Sequence, residues 1–290
     1  RLESSVRAFE LTLKRTIDRI DALEKSLKAY KEVKGDSLVV DDEIADSDET
    51  ENPELFDFAQ EFTLGKKKTF KFAHLRVNDF LEALHKDRRQ LNELYVQARD
   101  VKPERDQKLA KLKSLLTAKF TSPSTDRDGK PNRKVLVFTA FSDTAEYLYN
   151  NLHAWAKETY GVDSALVSGS VDNQTTYRPQ GFGSQTDFNN ILIHFSPRSK
   201  QRDAMSQIPQ EGEIDLLIAT DCISEGQNLQ DCGYLINYDI HWNPVRIIQR
   251  FGRIDRIGSR NPAIQLVNFW PTPNLDRYFN LKRRVEGRMA

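Results

Sequence analysis

From Asn243 to Arg260 the sequence reads NPVRIIQRFGRIDRIGSR, with arginines at 246, 250, 253, 256 and 260 and glycines at 252 and 258. A guanidinium group stays charged and presents a rigid fork of donors, which suits a multiply charged phosphate. Gln249, Arg253 and Arg256 stand four and three apart, so they would share one face of a continuing helix. The two glycines suggest that the helix is interrupted and that the arginines point out of it. The competing interpretation is a solvated basic helix face with a few salt bridges, for which Asp255 is the main flanking acid. A second stretch, DCISEGQNL (221–229), follows the apolar run IDLLIAT. Thr220 and Asp221 stand at the end of that run, Gly226 allows a backbone to approach a ligand closely, and Asn228 offers both a donor and an acceptor. Taken alone, this second stretch fits ordinary turn chemistry better than it fits a ligand loop.

Strands must hold these residues in place. KVLVFTA (134–140), ALVSG (165–169), IDLLIAT (214–220), YLINYD (234–239) and IQLVNFW (264–270) are short apolar runs bounded by turn residues, and each reads as a buried strand. Helical stretches lie between them: SDTAEYLYNNLHAWAKE with Ser142 or Asp143 as its cap, then segments near 187–195, 197–208 and 244–251. Asn243 and Pro244 make a favoured helix start. Strands alternating with helices imply a parallel sheet covered on both faces. Such sheets bind ligands at the carboxyl ends of their strands, here after Thr139, Gly169, Thr220, Asp239 and Trp270.

The first part of the chain differs. Apolar residues spaced by three and four from Leu2 to Tyr30, and again from Val77 to Tyr95, mark amphipathic helices. Another helix, carrying Leu109, Leu112, Leu115 and Leu116, follows Pro103 and Glu104. Between 36 and 71 an acidic run and then a basic run, KKKTFK, read as an exposed linker. TSPSTDRDGKPNRK reads as a loop. The expected organisation is a helical subdomain over 1–119, an α/β domain over 133–275 and a closing helix over 276–290.

Forty-three basic and 43 acidic side chains leave no net charge. This argues against a wholly basic nucleic-acid binder and leaves room for a local basic face. No run of about 18 apolar residues is present, so no membrane segment is expected. Cys222 and Cys232 are too few for a disulfide framework or a zinc site, and each reads as a small buried apolar side chain. His74, His85, His153 and His194 have no metal-ligand spacing, His241 fits a structural role better than a ligand contact, and Trp242 fits core packing about as well as contact with a partner domain or nucleic acid. The absence of an initiator Met points to a fragment, and the composition to a cytosolic protein.

Three blocks, in this order, resemble the second RecA-like domain of superfamily 2 helicases and translocases: KVLVFTAFSDTAEYL resembles motif IV, LLIATDCISEGQNLQ motif V, and QRFGRIDRIGS motif VI. The lead-in Asp239, Trp242, Asn243, Pro244 is most similar to the Snf2-type branch, and SEGQNLQ to its bacterial RapA-like members. The resemblance covers roughly residues 133–270. It implies an α/β fold, a RecA-like parallel sheet with helices on both faces, preceded by the helical subdomain. It also implies an ATP-dependent motor domain. Arg253 and Arg256 would be arginine fingers on ATP and Gln249 its γ-phosphate sensor. Gly226, Asn228 and Asp221 would lie at the nucleotide, with Asn228 standing where many relatives carry Asp. Thr139, Phe141, Ser142, Thr220 and Arg202 would contact the nucleic-acid backbone, Arg202 after an insertion over 170–196. The implied partner is double-stranded DNA and the implied compartment the bacterial cytoplasm. These residues contain no G-x-x-x-x-G-K-[ST] and no D-E-x-H. ATP and Mg2+ would therefore be held by an N-terminal RecA-like domain of the same parent chain, and the fragment alone would be inactive. The alternative is a non-catalytic RecA-like module that docks a partner protein through its helical region. A Rossmann-type dinucleotide binder would need a G-x-G-x-x-G after a strand, and none is present.

Overall fold

The computed structural model describes residues 3–33, 76–223, 226–240, 243–256 and 258–270. The linker near 36–71, His74, His241, Trp242 and the closing helix over 276–290 lie outside these residues. The chain divides into two compact units, one of residues 1–8 with 102–290 and one of residues 9–101.

The larger unit is built on a six-stranded sheet in the order β5-β4-β6-β3-β7-β8. Its strands are β3 (Val135–Phe138), β4 (Ser164–Val167), β5 (Gln174–Thr175), β6 (Leu216–Ala219), β7 (Tyr234–Asn237) and β8 (Gln265–Asn268). β3 lies parallel between β6 and β7, with Val135 opposite Leu216 and Leu136 opposite Leu235. Alternate residues of a strand face opposite ways, and both faces are covered. Val135, Val137, Leu216 and Ile218 pack with α3 (Gln107–Thr121) and α4 (Ser142–Tyr160). Leu136, Phe138, Leu217 and Ala219 pack with α5 (Phe188–Phe195) and with Ile254. Burial on both sides explains why these strands read as continuous apolar runs.

The expected strands ran longer than the observed ones. Thr139, Thr220 and Asp239 leave the ladder at its carboxyl edge and begin the loops that carry the motifs. Four further differences have physical causes. The sheet is not wholly parallel, because β5 turns back antiparallel on β4, with Ala165 opposite Thr175. Phe141, not Ser142 or Asp143, caps α4, because the Ser142 hydroxyl bonds that of Ser168 at 2.6 Å. The helix expected over 197–208 is only a 3-10 turn at Arg202–Ala204, preceded by Gln201 in the left-handed region at φ 54°. The loop before β3 contains a small hairpin, β1 (Ser124–Thr125) with β2 (Pro131–Asn132).

α3 starts at its Asp106 cap, whose carboxylate accepts from Leu109 N at 2.9 Å, not at Pro103. Its Leu109, Leu112, Leu116 and Phe120 belong to the sheet's core. α3 is therefore part of the sheet unit, whereas its apolar spacing alone had grouped it with the helices before it.

The smaller unit contains most of α1 (Val6–Val33) together with α2 (Val77–Arg99). Leu27, Leu81 and Leu84 form its core. Glu24 is buried there beside His85 at 3.1 Å and Arg88 at 3.6 Å.

Candidate nucleotide and nucleic-acid site

The motif VI helix α6 (Pro244–Phe251) begins as its sequence demands, with Asn243 accepting from Val245 N at 3.0 Å and Pro244 in the first turn. It ends at Phe251, so Gln249, Arg253 and Arg256 do not share a continuous helical face. Gly252 keeps right-handed geometry at φ −60°, and the departure comes at Gly258, at φ 93°.

One arginine of this stretch does not face outward at all. Arg250 is fully buried. Its Nε and Nη2 donate to Asp221 Oδ1 at 2.6 Å and Oδ2 at 2.9 Å. Its Nη1 donates to Asn237 Oδ1 at 3.1 Å and to the Asp239 carbonyl at 3.0 Å. Its guanidinium carbon lies 5.1 Å from the centre of the Phe138 ring. A buried guanidinium requires this degree of satisfaction. The assignment of Asp221 to nucleotide binding is corrected accordingly, since both its carboxylate oxygens serve Arg250. The sequence carried a signal for this: Arg250 stands three residues after Ile247 and four before Ile254, both fully buried.

The neighbouring residues are arranged differently. Arg256 is exposed, with Nε donating to the Gly252 carbonyl at 3.0 Å. Leu229 N donates to the Arg253 carbonyl at 2.9 Å, which fastens motif VI to motif V. Gln249 Oε1 is buried and has no hydrogen-bond partner among the described residues. Gly226 is left-handed at φ 71°, and beyond its chain neighbours no atom of the described residues stands within 4 Å of where a Cβ would be. Asn228 Oδ1 accepts from Gln230 N at 3.4 Å. Thr220 is buried, and its hydroxyl has no partner among the described residues.

Lys200 was not foreseen at this site. It donates to Gln227 Oε1 at 2.6 Å. Its ammonium pKa is depressed, first by burial and then by the charge of Arg256. Lys200 comes from the turn after α5, far from motif VI in sequence, so spacing along the chain could not reveal it. Lys200 and Arg256 together favour an anion.

The expected backbone-contacting residues divide. Thr139 is fully buried and donates its hydroxyl to Asp239 Oδ2, which also accepts from Ala140 N at 3.1 Å and Ser4 Oγ at 2.7 Å. Lys108 Nζ reaches Asp239 Oδ1 at 3.2 Å. The hydroxyls of Thr139 and Ser142 thus hold the loop together, which corrects their assignment as contact groups; Phe141 stays half-buried at its tip. Arg202 is corrected likewise. It is buried, and its guanidinium donates to the carbonyls of Gly212 at 2.6 Å and Gln210 at 2.8 Å. Cys222 is exposed rather than buried. Cys232 is buried, and burial pushes its thiol up to about 11.

The protein described as "Uncharacterized ATP-dependent helicase YqhH" from Bacillus subtilis is 35% identical over 98 residues, covering 34% of this chain and 17% of that protein. The "ATP-dependent RNA helicase eIF4A" of Yarrowia lipolytica is 29% identical over 110 residues, covering 38% and 28%. This chain thus spans under a third of the length of either relative. Among solved structures, the C-terminal part of the Fun30 ATPase domain aligns with a TM-score of 0.41 at 17% identity, covering 70% of this chain and 56% of that one. Residues 107–258, just over half of the chain, match the helicase conserved C-terminal domain, and the chain belongs to that family.

Proposed function

We propose that this chain is the C-terminal motor domain of an ATP-dependent helicase or translocase of the Snf2/RapA-like branch, acting on double-stranded DNA. The observation that carries the proposal is the locked Arg250–Asp221 pair, which fixes motif V against motif VI while the turn bearing Arg253 and Arg256 continues toward solvent. A second RecA-like domain would hold ATP and Mg2+. Arg253 and Arg256 would approach the γ-phosphate as the two domains close and stabilise the charge that develops there. Gln249 would sense the same group by donating its side-chain amide N–H to it. Water would attack the γ-phosphorus as its bond to the bridging oxygen of ADP breaks, with the proton released to solvent, and ADP and inorganic phosphate would leave as the cleft reopens. Repeated closure would shift two backbone-gripping surfaces relative to each other, with weak sequence preference and strong salt dependence.

The test compares the 290-residue chain with its longer parent. The chain alone should turn over little or no ATP, and the parent should be stimulated by duplex DNA. Robust turnover by the chain alone would overturn the proposal. Stimulation of the parent by RNA and not by DNA would overturn the choice of track.

A further inference from the structure

Residues 170–196 interrupt the simple motif order, and they build something of their own. β5 comes from this insertion and runs antiparallel along β4, forming the edge of the sheet. A cleft of about 430 Å³ there is lined by Tyr149, His153, Asn173, Gln174, Arg178 and Thr186, with no acidic side chain in its wall. A second cleft of about 740 Å³ shares Asn173 and Thr186 with it and adds Asp172 and Asp187.

Several polar groups here are unspent. Asn173 Oδ1 is buried with no partner among the described residues. His153 Nδ1 lies 2.8 Å from the Tyr149 carbonyl, which can only accept, so Nδ1 donates and Nε2 is left outside that bond. Arg178 is exposed and forms no salt bridge among the described residues. Its charge lowers the Tyr149 phenol, which burial pushes up to about 12. The groove lies beside, and not at, the motif IV loop. Ser142 at the motif IV loop bonds Ser168 at the end of β4, and Asn173 immediately precedes β5. Tyr149 and His153 lie roughly 10 and 16 Å along α4 from Ser142 at the helical rise.

A cation in one cleft and acceptors toward the other suit a ligand that carries a phosphate and hydrogen-bond donors together. A simple anion would meet Asp172 and Asp187, and an apolar ligand would leave the amides unpaired. The smaller cleft has the volume of a small-ligand pocket, enough for one nucleotide. We infer that this groove is a subsite for an unpaired nucleotide of a nucleic-acid strand, with its phosphate on Arg178 and its base edge on Asn173 and Gln174. The inference rests on the nucleic-acid binding proposed above and not on the choice of duplex DNA as the track.

The experiment titrates the 290-residue chain with a fluorescent 15-nucleotide single strand, as DNA and as RNA, and with a blunt duplex, across salt concentrations. Arg178→Ala should weaken single-strand binding roughly three- to tenfold and flatten the salt slope by about 0.7, the value for one lost phosphate contact. It should leave duplex binding unchanged. Asn173→Ala should weaken single-strand binding a few-fold without changing the slope. Both side chains lie outside the core, and far-ultraviolet circular dichroism verifies folding. Unchanged single-strand affinity and slope in Arg178→Ala would overturn the subsite and leave the helicase proposal intact. Failure of the unaltered chain to bind any nucleic acid would remove both. Displacement of the strand by AMP at an equal nucleotide concentration would overturn the assignment to a strand in favour of a free nucleotide.

Discussion

Arg250 and Arg256 lie six residues apart in one motif and are used in opposite ways. Arg250 is wholly buried, and its fork is shared among Asp221, Asn237 and the Asp239 carbonyl. Arg256 is exposed and held by one backbone carbonyl. The first arginine joins α6 to the ends of β6 and β7, and the second extends beyond that joint. The difference shows that the charge of this stretch is not one feature. A buried guanidinium must be satisfied internally and so gives rigidity, while an exposed one keeps donors for a ligand.

The sharpest way to break this comparison is through rate. In the parent protein, Arg253→Ala and Arg256→Ala should each lower kcat for ATP hydrolysis by about 10³–10⁵, as loss of an arginine finger does in other phosphoryl-transfer enzymes. Nucleic-acid affinity should hold. For Arg256→Ala, stability should stay within about 0.5 kcal/mol, as for surface substitutions generally. Steady-state kinetics and urea titration measure the two effects. Full activity in Arg256→Ala would remove the offered role.

Arg250 should show its effect in stability. Arg250→Ala leaves the Asp221 carboxylate buried without its partner, and breaking such a pair costs about 3–5 kcal/mol. Replacing both, as Arg250→Met with Asp221→Leu, removes the stranded charge and should recover much of that loss. A urea-unfolding cycle over the single and double variants measures the coupling. An Arg250→Ala variant as stable as Arg256→Ala would erase the distinction.

How much of this was legible follows the same division. The strands could be read because burial on both faces leaves uninterrupted apolar runs, such as Val135 to Phe138 and Leu216 to Ala219. The start of α6 could be read because Asn243 and Pro244 act locally. What stayed hidden depended on partners distant in sequence. Asp221 looked like a ligand group until Arg250 claimed both its oxygens. Thr139, Ser142 and Arg202 looked like contacts until Asp239, Ser168 and the 210–212 carbonyls claimed theirs. Polar side chains at strand ends have two uses, holding a loop or meeting a ligand, and residue type alone does not separate them. Position on an apolar face does, and it marks Arg250.

A smaller effect tests the geometry of the offered half. Gly258 sits at φ 93°, and among the described residues beyond its chain neighbours a Cβ there would meet Gln230 Nε2 alone, at 4.0 Å. Gly258→Ala should therefore cost about 1 kcal/mol from backbone strain without a steric clash. Because the strain falls just after Arg256, kcat should drop more than stability alone accounts for. A loss of stability with unchanged kcat would show that the arginine turn tolerates a shift in its exit.

The smallest expected effect concerns a buried group that, unlike Arg250, is incompletely satisfied. His194 is 1% exposed and packs its ring against Tyr177 at 4.5 Å and Phe182 at 5.9 Å. Its Nδ1 donates to the Asn190 carbonyl at 2.7 Å, while Nε2 has no partner among the described residues. Burial is the largest cause of its lowered pKa and the charge of Arg202 lowers it further, while the Asn190 and Pro209 carbonyls and the charge of Glu213 oppose the shift without reversing it. The folded ring therefore resists a proton that the unfolded chain takes up near pH 6.5. Above that pH both states carry neutral imidazole and the group adds no pH dependence. As the pH falls below it, the unfolded state binds the proton first, and stability declines toward the folded pKa. Between pH 6.5 and 5.5 the decline cannot exceed about 1.4 kcal/mol, the limit for one proton over one pH unit. His194→Phe keeps a ring between Tyr177 and Phe182 and has no proton to gain. Other groups titrate alike in both proteins, so the difference in urea midpoint should move in favour of the variant as the pH drops from 7.5 to 5.5. A constant difference would mean that the ring accepts its proton inside the fold, through an acceptor facing Nε2, and that His194 is as fully satisfied as Arg250.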